Sequence, residues 1–224
     1  MTFSIAARCA QTHMFGLAIA SSSPAVAARC SHARAGVGAV ATQNITDPSL
    51  GPRILDALGR GRTAGAALQE ALCSTPYGEY RQLVVVGHQG PPAIHSGAHA
   101  LGLTGSMVGV DSAAAGNLLA SSGVPAAMVA AFESSHGHLG ARLLHALRAG
   151  AGCGGEAGPV HSAGLYVVRE VSWPIVDLRV DWCTRDPLDE LEAAWAIYSP
   201  QIDDYVRRAL DPSAAPRFGV PGDV

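Results

Sequence analysis

The apolar segments of this chain come in couples that share a period, and that pairing restricts the folds open to it. Residues 3–9 and 17–21 are short apolar runs joined by a polar connection ending in Gly16, the pattern of a β-hairpin. Residues 82–87 and 93–96 flank Gly90-Pro91-Pro92, and residues 163–169 and 175–180 form a last couple of the same kind. A further run, residues 37–43, is approached through Gly36 and Gly38, which mark a bulge or the close approach of another backbone. Residues 105–119 read as a strand followed by a tight turn containing glycine. Helical spacing appears at residues 52–58 and 64–72, with Thr63 placed as N-cap of the second, and again at residues 124–132 and 139–149. Asp186-Pro187 opens a final amphipathic helix through about Tyr198. Hairpins and helix pairs, in place of strict strand–helix alternation, predict an α+β layered domain and not a doubly wound sheet.

A chain of 224 residues with 48% apolar and 15% charged side chains has the means to build one well-buried core. The expected unit is a single domain over residues 1–210, with a loosely held Pro-, Ala- and Gly-rich tail at 211–224. The net charge of -3, with its basic residues scattered and not clustered into a patch, leaves no electrostatic footprint for nucleic acid or an anionic membrane. All 15 basic residues are arginine, so mechanisms that need a lysine are excluded. Five cysteines with no CxxC pair read as reduced thiols of a cytoplasmic protein. Residues 1–7 lack the regions of a secretory signal, and no run approaches the length of a membrane span. His136 and His138 are the only close histidine pair, and no cysteine or carboxylate stands at a ligand spacing beside them, so no metal is expected. No phosphate-binding loop, dinucleotide fingerprint or nucleophile elbow is present, and no cofactor is expected.

The residue that points to chemistry is Thr2, directly behind Met1 and at the head of the first apolar strand. Removal of Met1 is favoured by a small second side chain, and it would leave a hydroxyl and a free α-amine on one residue. An unperturbed α-amino group titrates at roughly 7.7–8, so near neutrality much of it can take the hydroxyl proton. Threonine at this position is also common in proteins without such chemistry.

The chain resembles the DUF1028 family, an uncharacterised branch of the N-terminal nucleophile (Ntn) hydrolases. The resemblance runs in order through residues 1–8, 33–43, Gly51-Pro52, residues 81–83, residues 116–120, Ser162-Ala163 and residues 176–181 with Asp186-Pro187. It implies a four-layer αββα sandwich of two antiparallel sheets. It also implies an amidohydrolase that cleaves a small non-peptide C–N bond, with Thr2 as nucleophile and its amine as base. Asn117 is the candidate donor to the oxyanion, or else a structural residue that caps its turn. Arg34 is placed, by analogy of position with a lysine of some relatives, to supply a fixed positive field or to bind a substrate carboxylate. An exposed ion pair is its bland alternative. Thr42, Gln43, Glu156 and Ser162 are candidate substrate-lining residues. The partner implied is a small-molecule amide, and sandwiches of this class often pair as homo-oligomers through their helical layers. The chain departs from the family pattern at Gly87-His88, at residues 154–159 and at Trp182-Cys183. Those departures motivate the second reading, a catalytically silent ligand-binding or scaffold protein on the same sandwich.

Overall fold

A computed structural model describes residues 1–217. Its strands are β1 (Thr2–Arg8), β2 (Phe15–Ser21), β3 (Ser31–Arg34), β4 (Gly38–Asn44), β5 (Arg81–Gly87), β6 (Ala93–Ser96), β7 (Gly105–Val108), β8 (Ser112–Asn117), β9 (Ser162–Val168) and β10 (Val176–Val180). The helices are α1 (Val26–Cys30), α2 (Leu50–Gly59), α3 (Ala64–Cys73), α4 (Val124–Ser134), α5 (Leu139–Gly152), α6 (Pro187–Tyr198) and α7 (Ile202–Leu210). A six-stranded sheet runs β10-β9-β2-β1-β8-β7 and a four-stranded sheet runs β3-β4-β5-β6, and every pairing is antiparallel.

Strand alternation sorts the side chains into layers. Phe3, Ile5 and Ala7 of β1 pack with Met128, Phe132, Leu143 and Leu147 of α4 and α5. Ala6, on the opposite face, meets Ala39 and Ala41 of β4 and Val84 and Val86 of β5 between the sheets. Val40, Leu83 and Val85 turn outward onto Ile54, Leu58 and Leu68 of α2 and α3. The order of layers is therefore helices, sheet, sheet, helices, the αββα sandwich, with Ala and Val side chains joined by Phe15, Leu17 and Ile19 in the core between the sheets.

Differences from the sequence reading have local causes. Residues 105–119 fold as the hairpin β7–β8 instead of one strand, because Gly109 to Asp111 turn the chain. The run at residues 37–43 has its own hairpin partner, β3, whose Ser-His-Ala-Arg sequence carries no apolar alternation. Helix α7 follows Pro200, where a helical reading stops, and presents Ile202 and Val206 to the core. Half of the proposed tail, residues 218–224, lies outside the described residues. Residues 216 and 217 accept hydrogen bonds from Arg208. The five cysteines are all free thiols. Among the described residues no helix is long and apolar enough to cross a membrane, and no group of His, Cys, Asp and Glu is placed to hold a metal ion.

The short helix α1 lies directly on β9 at Gly164, where an added Cβ would stand 2.4 Å from the Cβ of Ala27. Gly164→Ala must lift α1 from the sheet, an overpacking cost of about 1–3 kcal/mol. A clear drop in melting temperature is the expected result, read by calorimetry; an unchanged value would show that α1 is not seated there.

Candidate active site

The register of the six-stranded sheet gathers polar residues into one row. Thr2 is the Cα partner of Asn117 on β8, and Ser21 is the partner of Ser162 on β9. Phe3 pairs with Ala20, so Thr2 and Ser21 end adjacent strands at the same level. Phe3 and Ala20 point to the helices, and alternation then turns Thr2 and Ser21 toward the other sheet. All four residues of the row are buried, Thr2 at 5% exposure. The Thr2 Oγ1 lies 3.2 Å from Ser21 Oγ, and both hydroxyls donate to the carbonyl oxygen of Met1.

The facing sheet contributes Gln43 and Gln82, which pair across β4 and β5 and are fully buried. Ser4 Oγ donates to Gln43 Oε1 at 2.7 Å, and Gln43 Nε2 donates to Gln82 Oε1 at 2.7 Å and to the carbonyl of Ala115 at 3.1 Å. Gln82 Nε2 donates to the carbonyl of Gly116 at 3.0 Å and to Ser96 Oγ at 2.9 Å. Backbone carbonyls can only accept, so Ala115 and Gly116 fix which end of each glutamine is the nitrogen. Gln82 Oε1 is thereby an acceptor, and Asn117 Nδ2 donates to it at 3.0 Å. The orientation of Asn117 is set by a chain of bonds that begins at the backbone of β8 itself. Its Oδ1 is buried and has no partner among the described residues.

Glu156 closes the row from the loop after α5. Gly154 and Gly155 carry φ of +118° and +57°, values that L side chains rarely adopt, and they turn the loop back onto Leu118–Ala120. Glu156 then accepts the backbone N–H of Ser22 on both oxygens, at 2.9 and 3.1 Å. Burial pushes its carboxyl up to about 7, against the lowering influence of the chain's N-terminal ammonium, the Ser22 hydrogen bonds and His161. Met1 is itself half-buried, its thioether end against Gly158.

A carboxyl raised in this way keeps its proton in the folded protein where the unfolded chain has released it. Its contribution to stability is complete below about 4.5 and is lost as the pH rises to about 7. Burial lowers His32 and His138 and acts with the opposite sign, costing stability as the pH falls below 6.5. The comparison with Glu156→Gln isolates the carboxyl. Melting curves should show wild type losing ground to the variant between about pH 4.5 and about 7, with a constant gap above. Parallel profiles would refute the assignment.

The structure brings Thr2, Asn117, Gln43, Glu156 and Ser162 to one end of the sandwich. Ser162 Oγ is committed to backbone there, donating to the carbonyl of Ser23 at 2.6 Å and accepting from Val26 N–H at 3.3 Å. Arg34 and Thr42 stand elsewhere. Arg34 is opposite Gly38, at the far end of β4 and roughly 17 Å of strand from Gln43, and its guanidinium bonds Asp56 of α2 at 2.8 Å on the surface. Thr42 is one residue out of phase with Gln43, so its hydroxyl turns to the helical side and bonds the carbonyl of Asp47. The sequence reading passed over Ser21 and Gln82. Each is a polar residue in step with inward-facing neighbours, Leu17 and Ile19 for the first and Val84 and Val86 for the second.

The crystal structure of protein SPO2555 from Silicibacter pomeroyi, of the family model DUF1028, is similar over 92% of this chain and 90% of that chain, with a TM-score of 0.85 and 28% identity. Anbu (ancestral beta-subunit) from Yersinia bercovieri aligns over 92% of this chain and 97% of that chain, with a TM-score of 0.39 and 12% identity. No curated protein matches the chain. The model of DUF1028, a family of unknown function, matches residues 2–191, and the chain belongs to that family.

Proposed function

We propose that this protein is an N-terminal nucleophile hydrolase that opens a small, non-peptide amide through Thr2 after loss of Met1. The observation that carries the reading is the position of the Met1–Thr2 peptide. Its carbonyl takes hydrogen bonds from two buried hydroxyls, Asn117 is the cross-strand partner of Thr2, and the N-terminal ammonium acts on the carboxyl of Glu156. Removal of Met1 turns that peptide nitrogen into an amine and vacates the room of one residue beside Thr2 Oγ1, a space suited to a small acyl group.

Thr2 Oγ1 then attacks the acyl carbon and passes its proton to its own amine. The tetrahedral oxyanion forms beside Asn117, whose second Nδ2 hydrogen is not used by Gln82. Collapse breaks the C–N bond, the amine returns the proton to the leaving nitrogen, and water hydrolyses the ester by the same proton path. Pairing of copies through the helical layers and a cytoplasmic setting belong to this proposal.

Intact mass of the native protein, before and after exposure to a β-lactone, tests it. The expected result is a chain lacking Met1 that gains one acyl adduct mapping to Thr2. A chain that keeps Met1, or a Thr2 that takes no adduct, overturns the hydrolase reading in favour of a silent binding or scaffold protein.

A further inference from the structure

Beyond Ser21, the hydroxyl row continues to a cation. Ser21 Oγ and Ser23 Oγ are 2.8 Å apart, and Arg29 Nη2 donates to Ser23 Oγ at 3.1 Å. Arg29 is in the last turn of α1, which β9 receives at Gly164. Its Nη1 is held by the carbonyls of Pro24 and Ala25, the second at 3.1 Å. Among the described residues no carboxylate pairs with this guanidinium, so its charge is spent on the turn and on Ser23.

The direction of the string follows from what each group can do. A guanidinium donates and never accepts. Ser23 Oγ therefore receives from Arg29, and its own proton is directed to Ser21 Oγ. Ser21 Oγ also accepts the backbone N–H of Ser23 at 3.1 Å, which fills its acceptor sites and sends its proton onward. With Met1 in place, that proton goes to the Met1 carbonyl. With Met1 gone, the acceptor in reach is Thr2 Oγ1 at 3.2 Å.

We propose that Arg29 is a positioning residue that sets the direction of the Arg29–Ser23–Ser21–Thr2 string, so that Thr2 Oγ1 receives a hydrogen bond and surrenders its own proton to the amine. This rests on the reading of Thr2 as nucleophile. The role of a fixed cation near the nucleophile, which the sequence reading gave to Arg34, falls to Arg29 instead. Across the row the other charged groups are Glu156, the N-terminal ammonium and His161, and they are common to every variant below.

The test is the rate of Thr2 acylation by a β-lactone as a function of pH, with the site of the adduct mapped. Arg29→Met should slow acylation below its plateau by about tenfold and raise the midpoint of the profile by about one pH unit. Arg29→Lys should restore most of the rate, since an ammonium can also donate to Ser23. Ser23→Ala should reproduce the loss with the cation still in place, and it serves if Arg29→Met melts before assay. A purely structural role for Arg29 would lower the melting temperature and leave the midpoint where it was. A wild-type rate and midpoint in both Arg29→Met and Ser23→Ala overturns the string while Thr2 labelling stands. A wild-type protein that takes no Thr2 adduct removes the nucleophile itself, and this inference with it.

Discussion

Thr2→Ala is expected to abolish β-lactone labelling and any amide turnover of the wild-type protein, by on the order of 10⁴-fold or more, the scale set by removal of a catalytic nucleophile elsewhere. The fold survives the change. Alanine is also small enough for Met1 removal, so under the proposed mechanism the variant keeps the free amine and lacks only the hydroxyl and a methyl group. The packing that seats β1 belongs to Phe3, Ile5 and Ala7 on the helical face and to Ala6 between the sheets, none of which is touched. Loss of the hydroxyl removes one hydrogen bond of a buried row, about 0.5–1.5 kcal/mol, a few degrees of melting temperature at this chain length. Thr2→Ser completes the comparison, because it retains nucleophile and amine and should retain labelling. Turnover that persists in Thr2→Ala would place the chemistry at another residue.

The hairpins and helix pairs were legible in the sequence because each depends on local period, whereas the four-layer order was implied by the family resemblance. Residues 3–9 with 17–21, and 163–169 with 175–180, announce hairpins by alternation and turn chemistry, and the structure has β1–β2 and β9–β10 there. Elements without a period were not legible: β3 is Ser-His-Ala-Arg, and α1 is a five-residue helix entered through Ala25 at a left-handed φ of 52°. The site divides on the same line. Thr2 and Asn117 were singled out by their motifs, and the register then makes them cross-strand partners. Gln43 and Thr42 are adjacent in sequence, yet alternation sends one into the polar row and the other toward α2. Arg34 precedes β4 closely in sequence, but the hairpin β3–β4 carries it to the opposite end of the sandwich from Thr2. Gln82 and Arg29 gain meaning only when the second sheet and the seat of α1 are known. What decides such placements is the pairing of distant strands, which no window of sequence contains.

Gln82→Leu is expected to be among the most destabilising single changes of similar volume in this protein. The side chain is fully buried and makes four hydrogen bonds, to Gln43, Asn117, Ser96 and the carbonyl of Gly116. Leucine fills the space and answers none of them. Gln43 Nε2 still has Ala115, and Ser96 is exposed to solvent, but Asn117 Nδ2 loses its acceptor in a site where its Oδ1 already has no donor. An orphaned buried donor or acceptor costs about 1–3 kcal/mol, so the sum over Asn117 and Gly116 is on the order of 3 kcal/mol. At this chain length that lowers the melting temperature by roughly 6–12 °C. If Asn117 is the oxyanion donor of the proposed mechanism, activity should fall further than stability accounts for, because Asn117 no longer has a fixed orientation, and a misplaced donor costs about 10²–10³ in rate. Ser96→Ala is the control, since it removes a peripheral bond of the same network and leaves Asn117 anchored. Calorimetry and labelling rates that rank Gln82→Leu well below Ser96→Ala would establish that the second sheet holds the oxyanion donor in place; equal behaviour of the two would separate Gln82 from the site.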